Sequence, residues 1–248
     1  LDPLHGSQIL RVVGALAERA QLPRPPDIHV VPSATLNAFA VGHPGHSAIA
    51  VTEGLLRKLS LRELAGVLAH EVSHIRNSDL NVMALADLMT RLLQVLSWVA
   101  VGLFVYSIPA IVTGSARVPW LLNALLYLGP AIGSLLQLAL SRTREYDADL
   151  DGAVLTGDPV GLASALSKIE RYQGHLWEDV ASPGGRRIPA PSLLRSHPST
   201  QERIARLRAL DRRQMLPPID VREEPMVSLV GFGPIAMRPR FRLPGLWF

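Results

Sequence analysis

The chain of 248 residues contains no cysteine. That excludes disulfides, cysteine nucleophiles, iron–sulfur clusters and every thiolate zinc site, so a transition metal here has to be held by histidine and carboxylate. Charge is scarce as well: Asp, Glu, Lys and Arg make up 19% of residues, against about 25% in an average soluble domain. Aromatic residues are only 5%. The 25 Lys and Arg exceed the 21 Asp and Glu but never gather into a block of like charge. No nucleic-acid partner is therefore expected, and an anionic membrane surface suits the excess better. Residues 1–25, which begin at Leu1, hold no charged segment followed by a long apolar run, so no signal peptide is expected. With 48% apolar residues the chain can build a packed core, and its length suits about one or two domains.

What is abundant is apolar periodicity. Ile9, Leu10, Val12, Val13, Leu16 and Ala20 recur at helical spacing behind Ser7, which predicts a helix over 7–20. Three β-rich runs at 28–31, 36–41 and 47–52 are separated by Pro, Ser and Gly and predict a small sheet. A helix over 53–59 follows. Ser60-Leu61-Arg62-Glu63 is a capping box that opens another helix, with Leu61, Leu64, Ala65, Leu68, Val72 and Ile75 on one face. That helix is expected to end at Asn77-Ser78-Asp79, where the next begins. Further on, Asp158-Pro159 predicts a helix to about residue 172, and 174–198 reads as a loop. Ser199-Thr200-Gln201-Glu202 opens a short helix to about residue 212, and the Pro-rich tail has one β-like run at 227–230.

Residues 92–112 are 21 positions without a charge, and 119–140 are 22 more. A helix of the first length spans about 31 Å, the thickness of a bilayer core. The six residues between the two force an antiparallel pairing, so a transmembrane helical hairpin is expected rather than a buried hairpin of a soluble core. Arg91, Arg142 and Arg144 flank one end of the pair against Arg117 in the turn. By the positive-inside rule the remaining chain then faces the cytoplasm, as part of a multi-pass protein of the inner or plasma membrane. The helical pattern runs on unbroken from Leu140 through 141–156.

His70-Glu71-Val72-Ser73-His74 lies within the helix opened by Ser60. Histidines at i and i+4 share a helix face and can turn two imidazoles on one metal. Glu71 is then placed to take a proton from an attacking water and pass it on. Two histidines are short of the usual three protein ligands of a catalytic zinc. His5, His29, His43, His46, His175 and His197 each stand alone in polar or loop contexts. Glu145 and Asp149, spaced i, i+4, can share the work: one carboxylate on the metal, the other on the ring N–H of a ligand histidine.

The two segments His70 to His74 and Ser141-Arg142-Thr143-Arg144-Glu145-Tyr146-Asp147-Ala148-Asp149, with the apolar hairpin between them, resemble the HtpX-type membrane metalloproteases, relatives of the CAAX prenyl proteases. Asn37-Ala38-Phe39-Ala40 and His197-Pro198 followed by Arg203-Ile204 agree, so the likeness covers roughly residues 1–210. It implies a gluzincin fold in which His70, His74 and Glu145 bind one zinc ion per chain and Glu71 is the catalytic carboxylate. It also implies that Asn37, Ala38 and Phe39 belong to an edge strand that holds a substrate backbone in extended form, a role suited to any exposed sheet edge beside a metal. His197 would either donate to the oxyanion of the tetrahedral intermediate or cap the helix after Pro198. Arg203 would bridge to an acidic residue behind the zinc helices, the preferred reading, or contact a substrate carbonyl. Family members usually carry a further pair of spans ahead of the first helix, and this chain begins after the place where they lie.

The expected fold class is α+β, mostly helical: a gluzincin-like protease domain with a small β-sheet, interrupted by a transmembrane hairpin. Residues 1–91 form its N-terminal part, 92–140 the hairpin, 141–212 its C-terminal part with Asp149 and Arg203 behind the metal, and 213–248 a tail outside the family core. The expected function is zinc-dependent endoproteolysis of misfolded or membrane-associated polypeptides. A non-proteolytic membrane chaperone or assembly factor and a CAAX-type processing protease are the alternatives. The partners are polypeptide substrates and the lipid bilayer, and nothing in the sequence sets an oligomeric state.

Overall fold

In the computed structural model, which describes residues 3–114, 120–181, 199–210 and 215–219, the chain runs α1 (Pro3–Arg19), β1 (Asp27–Val31), β2 (Ala38–His43), β3 (His46–Thr52), α2 (Glu53–Lys58), α3 (Leu61–Arg76), α4 (Asp79–Val112), α5 (Trp120–Thr156), α6 (Pro159–Ala181) and α7 (Thr200–Ala209). Among the described residues it is mostly helical with one small sheet, and it divides into two compact units. The first takes in the described residues up to 80 and from 144 on; the second takes in residues 81–143.

In the first unit the strands lie in the order β1-β3-β2, with β1 parallel and β2 antiparallel to β3. Among the described residues the outer flank of β2 therefore has no neighbouring strand. Pairing in antiparallel strands alternates along the chain. The Thr52 amide donates to Asn37 O at 3.0 Å, so the backbone groups of Asn37, Phe39 and Val41 turn to β3. Those of Ala38 and Ala40 turn away from the sheet. One core joins Ile49 and Val51 of the sheet to Ile9, Val13 and Leu16 of α1 and to Leu64, Leu68, Val72 and Ile75 of α3. Each such side chain contributes about 1.5–3 kcal/mol by leaving water.

The capping box opens α3 as its sequence implies: the Glu63 amide donates to Ser60 Oγ at 3.3 Å, and the Ser60 amide donates to Glu63 Oε2 at 2.9 Å. Glu63 is buried, and it also accepts from Ser164 Oγ and Lys168 Nζ of α6, each at 2.7 Å. Burial pushes its pKa up, but the bonds from Lys168, Ser164 and Ser60 outweigh burial and hold the carboxyl below its ordinary range. This network fastens α6 to the start of the helix that carries the histidines. At the end of α5, Gly157 takes φ +68°, and a Cβ there would meet Leu216 O at 2.2 Å, because residues 215–219 cross the helix end at that point. The Ile219 amide donates to Thr156 O at 3.1 Å in the same crossing.

Helix α6 runs to Ala181, past the break expected after Tyr172. Gly174 alone weakens a helix by about 1 kcal/mol without ending it, and the next proline is Pro183. The β-like run at 227–230 lies outside the described residues.

In the second unit, Leu93 of α4 packs against Gly129 and Gly133 of α5, and Thr90 Oγ1 bonds Gln137 Oε1 at 3.2 Å. Phe104 meets Trp120 with ring centroids 5.8 Å apart. Contacts that rise along one helix as they fall along the other make the pair antiparallel. Both helices are long and apolar enough to cross a membrane by length and composition. Their remaining faces are apolar and open, with Tyr106 and Leu121 each 85% exposed.

Candidate metal centre

Helix α3 presents His70 and His74 one turn apart, their rings edge-on with centroids 4.7 Å apart. The two Nε2 atoms lie 3.2 Å from each other. Glu145, on α5, brings Oε2 to 3.7 Å from His70 Nε2, and one ligand atom from each of the three residues lies within 4.8 Å of the others.

The opposite ring nitrogens face carboxylates. His74 Nδ1 lies 2.8 Å from Asp79 Oδ2. His70 Nδ1 lies 3.1 Å from Asp149 Oδ1, an electrostatic contact rather than a well-directed hydrogen bond. An ionised carboxylate only accepts, so it favours the proton on the Nδ1 that faces it. Both Nε2 atoms then present lone pairs to the same point as a Glu145 oxygen. Three acceptors converging with no proton among them repel one another unless a cation stands between. Tetrahedral ligands at zinc–nitrogen and zinc–oxygen distances are separated by about 3.3 Å, and the 3.2 and 3.7 Å separations bracket that value.

The surrounding charge agrees. Four carboxylates, Glu71, Asp79, Glu145 and Asp149, share this region with two guanidiniums, Arg144 and Arg203. The residues present thus fit a metal of the zinc type.

Arg203, buried on α7, binds Asp149 with two donors at 2.6 Å each, and its Nη1 lies 3.0 Å from Glu145 Oε2. Of the two roles considered for it, the structure displays the bridge to acidic residues. Burial alone would raise the Asp149 pKa, but the bonds from Arg203 and the close approach of His70 hold it below the usual carboxylate range. Burial likewise disfavours the Arg203 cation, and Asp149 outweighs that and raises its pKa. Behind the histidines, Asp151 accepts from Ser73 Oγ at 3.1 Å and from Asn77 Nδ2 at 2.9 Å, a second tie between α3 and α5.

Burial pushes the Glu71 carboxyl up to about 7. The charge of His70 and the Ala40 amide pull it down, Glu145 adds to the rise, and Arg203 opposes it. The Ala40 amide is one of those turned away from the sheet, so the free flank of β2 faces Glu71. Of the other edge residues, Ala38 aims its backbone the same way as Ala40, whereas Asn37 and Phe39 aim theirs at β3 and the Phe39 side chain is exposed. His197 lies outside the described residues.

Asp79 and Arg144 were not singled out by sequence as parts of this site. Asp79 follows His74 by five residues, a spacing that on a continuous helix puts the two on different faces. It reaches His74 because α3 stops at Asn77 and Ser78 takes φ +53°.

Comparison with known proteins agrees with this picture. The sequence profile described as Peptidase family M48 matches residues 3–211. "Protease HtpX homolog" of Paraburkholderia phytofirmans is 36% identical over 228 residues, which cover 86% of this chain and 77% of that protein. The protein of the same description from Burkholderia thailandensis is 36% identical over 224 residues, with 86% and 77% covered. Among solved structures, "Crystal Structure of S. mikatae Ste24p" aligns with TM-score 0.51 at 22% identity, covering 79% of this chain and 49% of that one. This chain therefore spans about half the length of that structure, and the likeness is one of fold.

Proposed function

Because this chain belongs to Peptidase family M48, we propose that it is a membrane-anchored, zinc-dependent endopeptidase of gluzincin type. The observation that carries the reading is the convergence of His70 Nε2, His74 Nε2 and Glu145 Oε2 on one point, with the opposite ring nitrogens facing Asp149 and Asp79. These three residues would hold one zinc ion. Zinc at such a site supplies Lewis acidity, lowering the pKa of water toward neutrality and polarising the scissile carbonyl.

The chain's own residues do the rest. Glu71 accepts a proton from the attacking water and delivers it to the leaving amine. Arg203 keeps Asp149 ionised and holds both Asp149 and Glu145 in place. The outward backbone groups of Ala38 and Ala40 can take a substrate segment as an added strand, which leads its backbone past Glu71. The apolar hairpin of α4 and α5 anchors the enzyme in the bilayer, the exposure of Tyr106 and Leu121 being suited to lipid. By the positive-inside rule the catalytic part faces the cytoplasm. The substrates are misfolded or membrane-associated polypeptides.

The test is metal analysis of the purified protein together with digestion of an unfolded protein such as casein. Glu71→Gln is expected to lose cleavage and keep zinc. His70→Ala and His74→Ala are expected to lose both. Cleavage that survives Glu71→Gln, or full zinc content in the double histidine variant, would overturn the reading.

A further inference from the structure

We infer that Asp79 is a positioning residue of the metal centre: it holds His74 in place and is itself held by Arg144. The inference rests on the metalloprotease reading and adds to it two residues on either side of the apolar helices. Asp79 is the first residue of α4 and is buried, and its Oδ2 lies 2.8 Å from His74 Nδ1. Its Oδ1 is buried without a hydrogen bond and faces Arg144 Nη1 at 3.3 Å.

A buried carboxylate with one lobe on an imidazole and the other toward a guanidinium is not a surface helix cap. Its geometry fits the partner of a metal-ligating histidine, which fixes the ring's tautomer and angle and makes the ligand nitrogen more basic. The backbone agrees. Ser78 sits at φ +53°, a conformation that costs a non-glycine residue about 1–2 kcal/mol. The turn it makes carries Asp79 back against His74 instead of onward along the helix. Such strain persists where surrounding contacts over-determine it, and here those contacts belong to the site.

The partner of Asp79 is equally placed. Arg144 directly precedes Glu145, so the residue that secures Asp79 shares its backbone with the third candidate ligand. The first unit runs to Leu80 and resumes at Arg144. The ion pair therefore joins the point where the chain leaves that unit to the point where it returns, and both points carry a link to a ligand. His70 has its own carboxylate in Asp149, and Arg203 secures that one. The two histidines are thus served by parallel devices, a carboxylate on Nδ1 and an arginine behind it. The second device is built from residues adjoining α4 and Glu145.

The zinc dissociation constant of the whole purified chain, measured by competition with a chelator and without any peptide, tests this. Asp79→Ala is expected to raise it by about 10- to 100-fold. Asp79→Asn, which keeps an acceptor for His74 but loses the charge, should raise it less. Arg144→Ala should raise it several-fold and Arg144→Lys should largely restore it. Cleavage by Asp79→Ala is expected to recover when free zinc is raised. A merely structural Asp79 would lower the melting temperature of the metal-free protein and leave zinc affinity alone. If Asp79→Ala does not fold, Asp79→Asn and the Arg144 variants carry the test. Zinc that is lost on His74→Ala but held with wild-type affinity by the Asp79 variants overturns this inference and spares the protease reading. A wild-type chain whose zinc binding does not depend on His74 overturns both.

Discussion

The surroundings of Glu71 push its carboxyl well above the ordinary range, and the shift has a measurable sign. Its ordinary pKa of 4.5 rises to about 7 in the folded, metal-free chain because burial disfavours the charged form. Between those two values the folded state binds more protons than the unfolded state, so this residue makes stability fall as pH rises. The whole effect amounts to at most about 3 kcal/mol. Chemical denaturation of the metal-free protein across pH 4 to pH 8 is expected to show the slope, and Glu71→Gln is expected to flatten it and to be the more stable protein at pH 8. Parallel profiles for the two would show that the carboxyl is not buried as described. Asp149 has the opposite sign. Held below its ordinary 3.8 by Arg203 and His70 against burial, it contributes stability above that value and loses it in acid. The His70, Glu71 and His74 group was legible at this scale, because helix geometry sets its spacing, whereas Glu145 was tied to it only by the family resemblance. Asp79 was not legible, because a left-handed Ser78 lies between it and its partner, and no periodicity encodes that turn.

At the scale of elements the site depends on how closely α5 approaches α3. Gly152 faces the backbone of His70, and a Cβ added there would lie 3.1 Å from His70 N and 3.3 Å from His70 Cα. Both are main-chain atoms of a helix in the core, which cannot rotate aside. Gly152→Ala is therefore expected to cost about 1–3 kcal/mol through overpacking and to weaken zinc binding by shifting Glu145 and Asp149 relative to His70. Chemical denaturation and chelator competition read the two effects separately, and unchanged values in both would mean the helices relax freely. The edge strand offers a second test. Proline is tolerated on an edge where its missing N–H faces outward, as the amide of Ala38 does. Ala38→Pro is expected to leave zinc affinity unchanged and to raise KM for a peptide by about 2- to 10-fold, the worth of one backbone hydrogen bond. An unaltered KM would mean that peptides do not add to β2. Strands, caps and the two apolar helices were readable from alternation, capping boxes and uncharged length. The far half of α6 was not, since Gly174 looks like punctuation but only weakens a helix. Nor did the sequence say which acidic residue Arg203 meets, because α5 and α7 come together only in the folded unit.

For the whole molecule, the chain path itself limits where the catalysis proposed here can occur. The last residue of the second uncharged run, Leu140, precedes Glu145 by five residues. Five residues reach at most about 18 Å even when fully extended, so Glu145 stays within that distance of the bilayer edge however the two units are arranged. At the other crossing the path is longer: Asp79 precedes Leu92, the first residue of that uncharged run, by 13 residues, a stretch that includes the ion-paired Asp87 and Arg91. A metal centre tethered on both sides in this way meets chains that are themselves held in the membrane far more often than chains diffusing in bulk. A loop leaving a neighbouring transmembrane segment can reach the free flank of β2 after a search in two dimensions. A soluble unfolded chain arrives only by a search in three. The expected outcome is that one cleavable sequence, placed at increasing distance from a transmembrane anchor in the same vesicles, is cut most rapidly within a few nanometres of the membrane and more slowly beyond. The Glu71→Gln chain supplies the background for each substrate. Equal rates at all distances, or a soluble unfolded protein cut as fast as the tethered loop, would mean that the hairpin serves as an anchor without directing the choice of substrate.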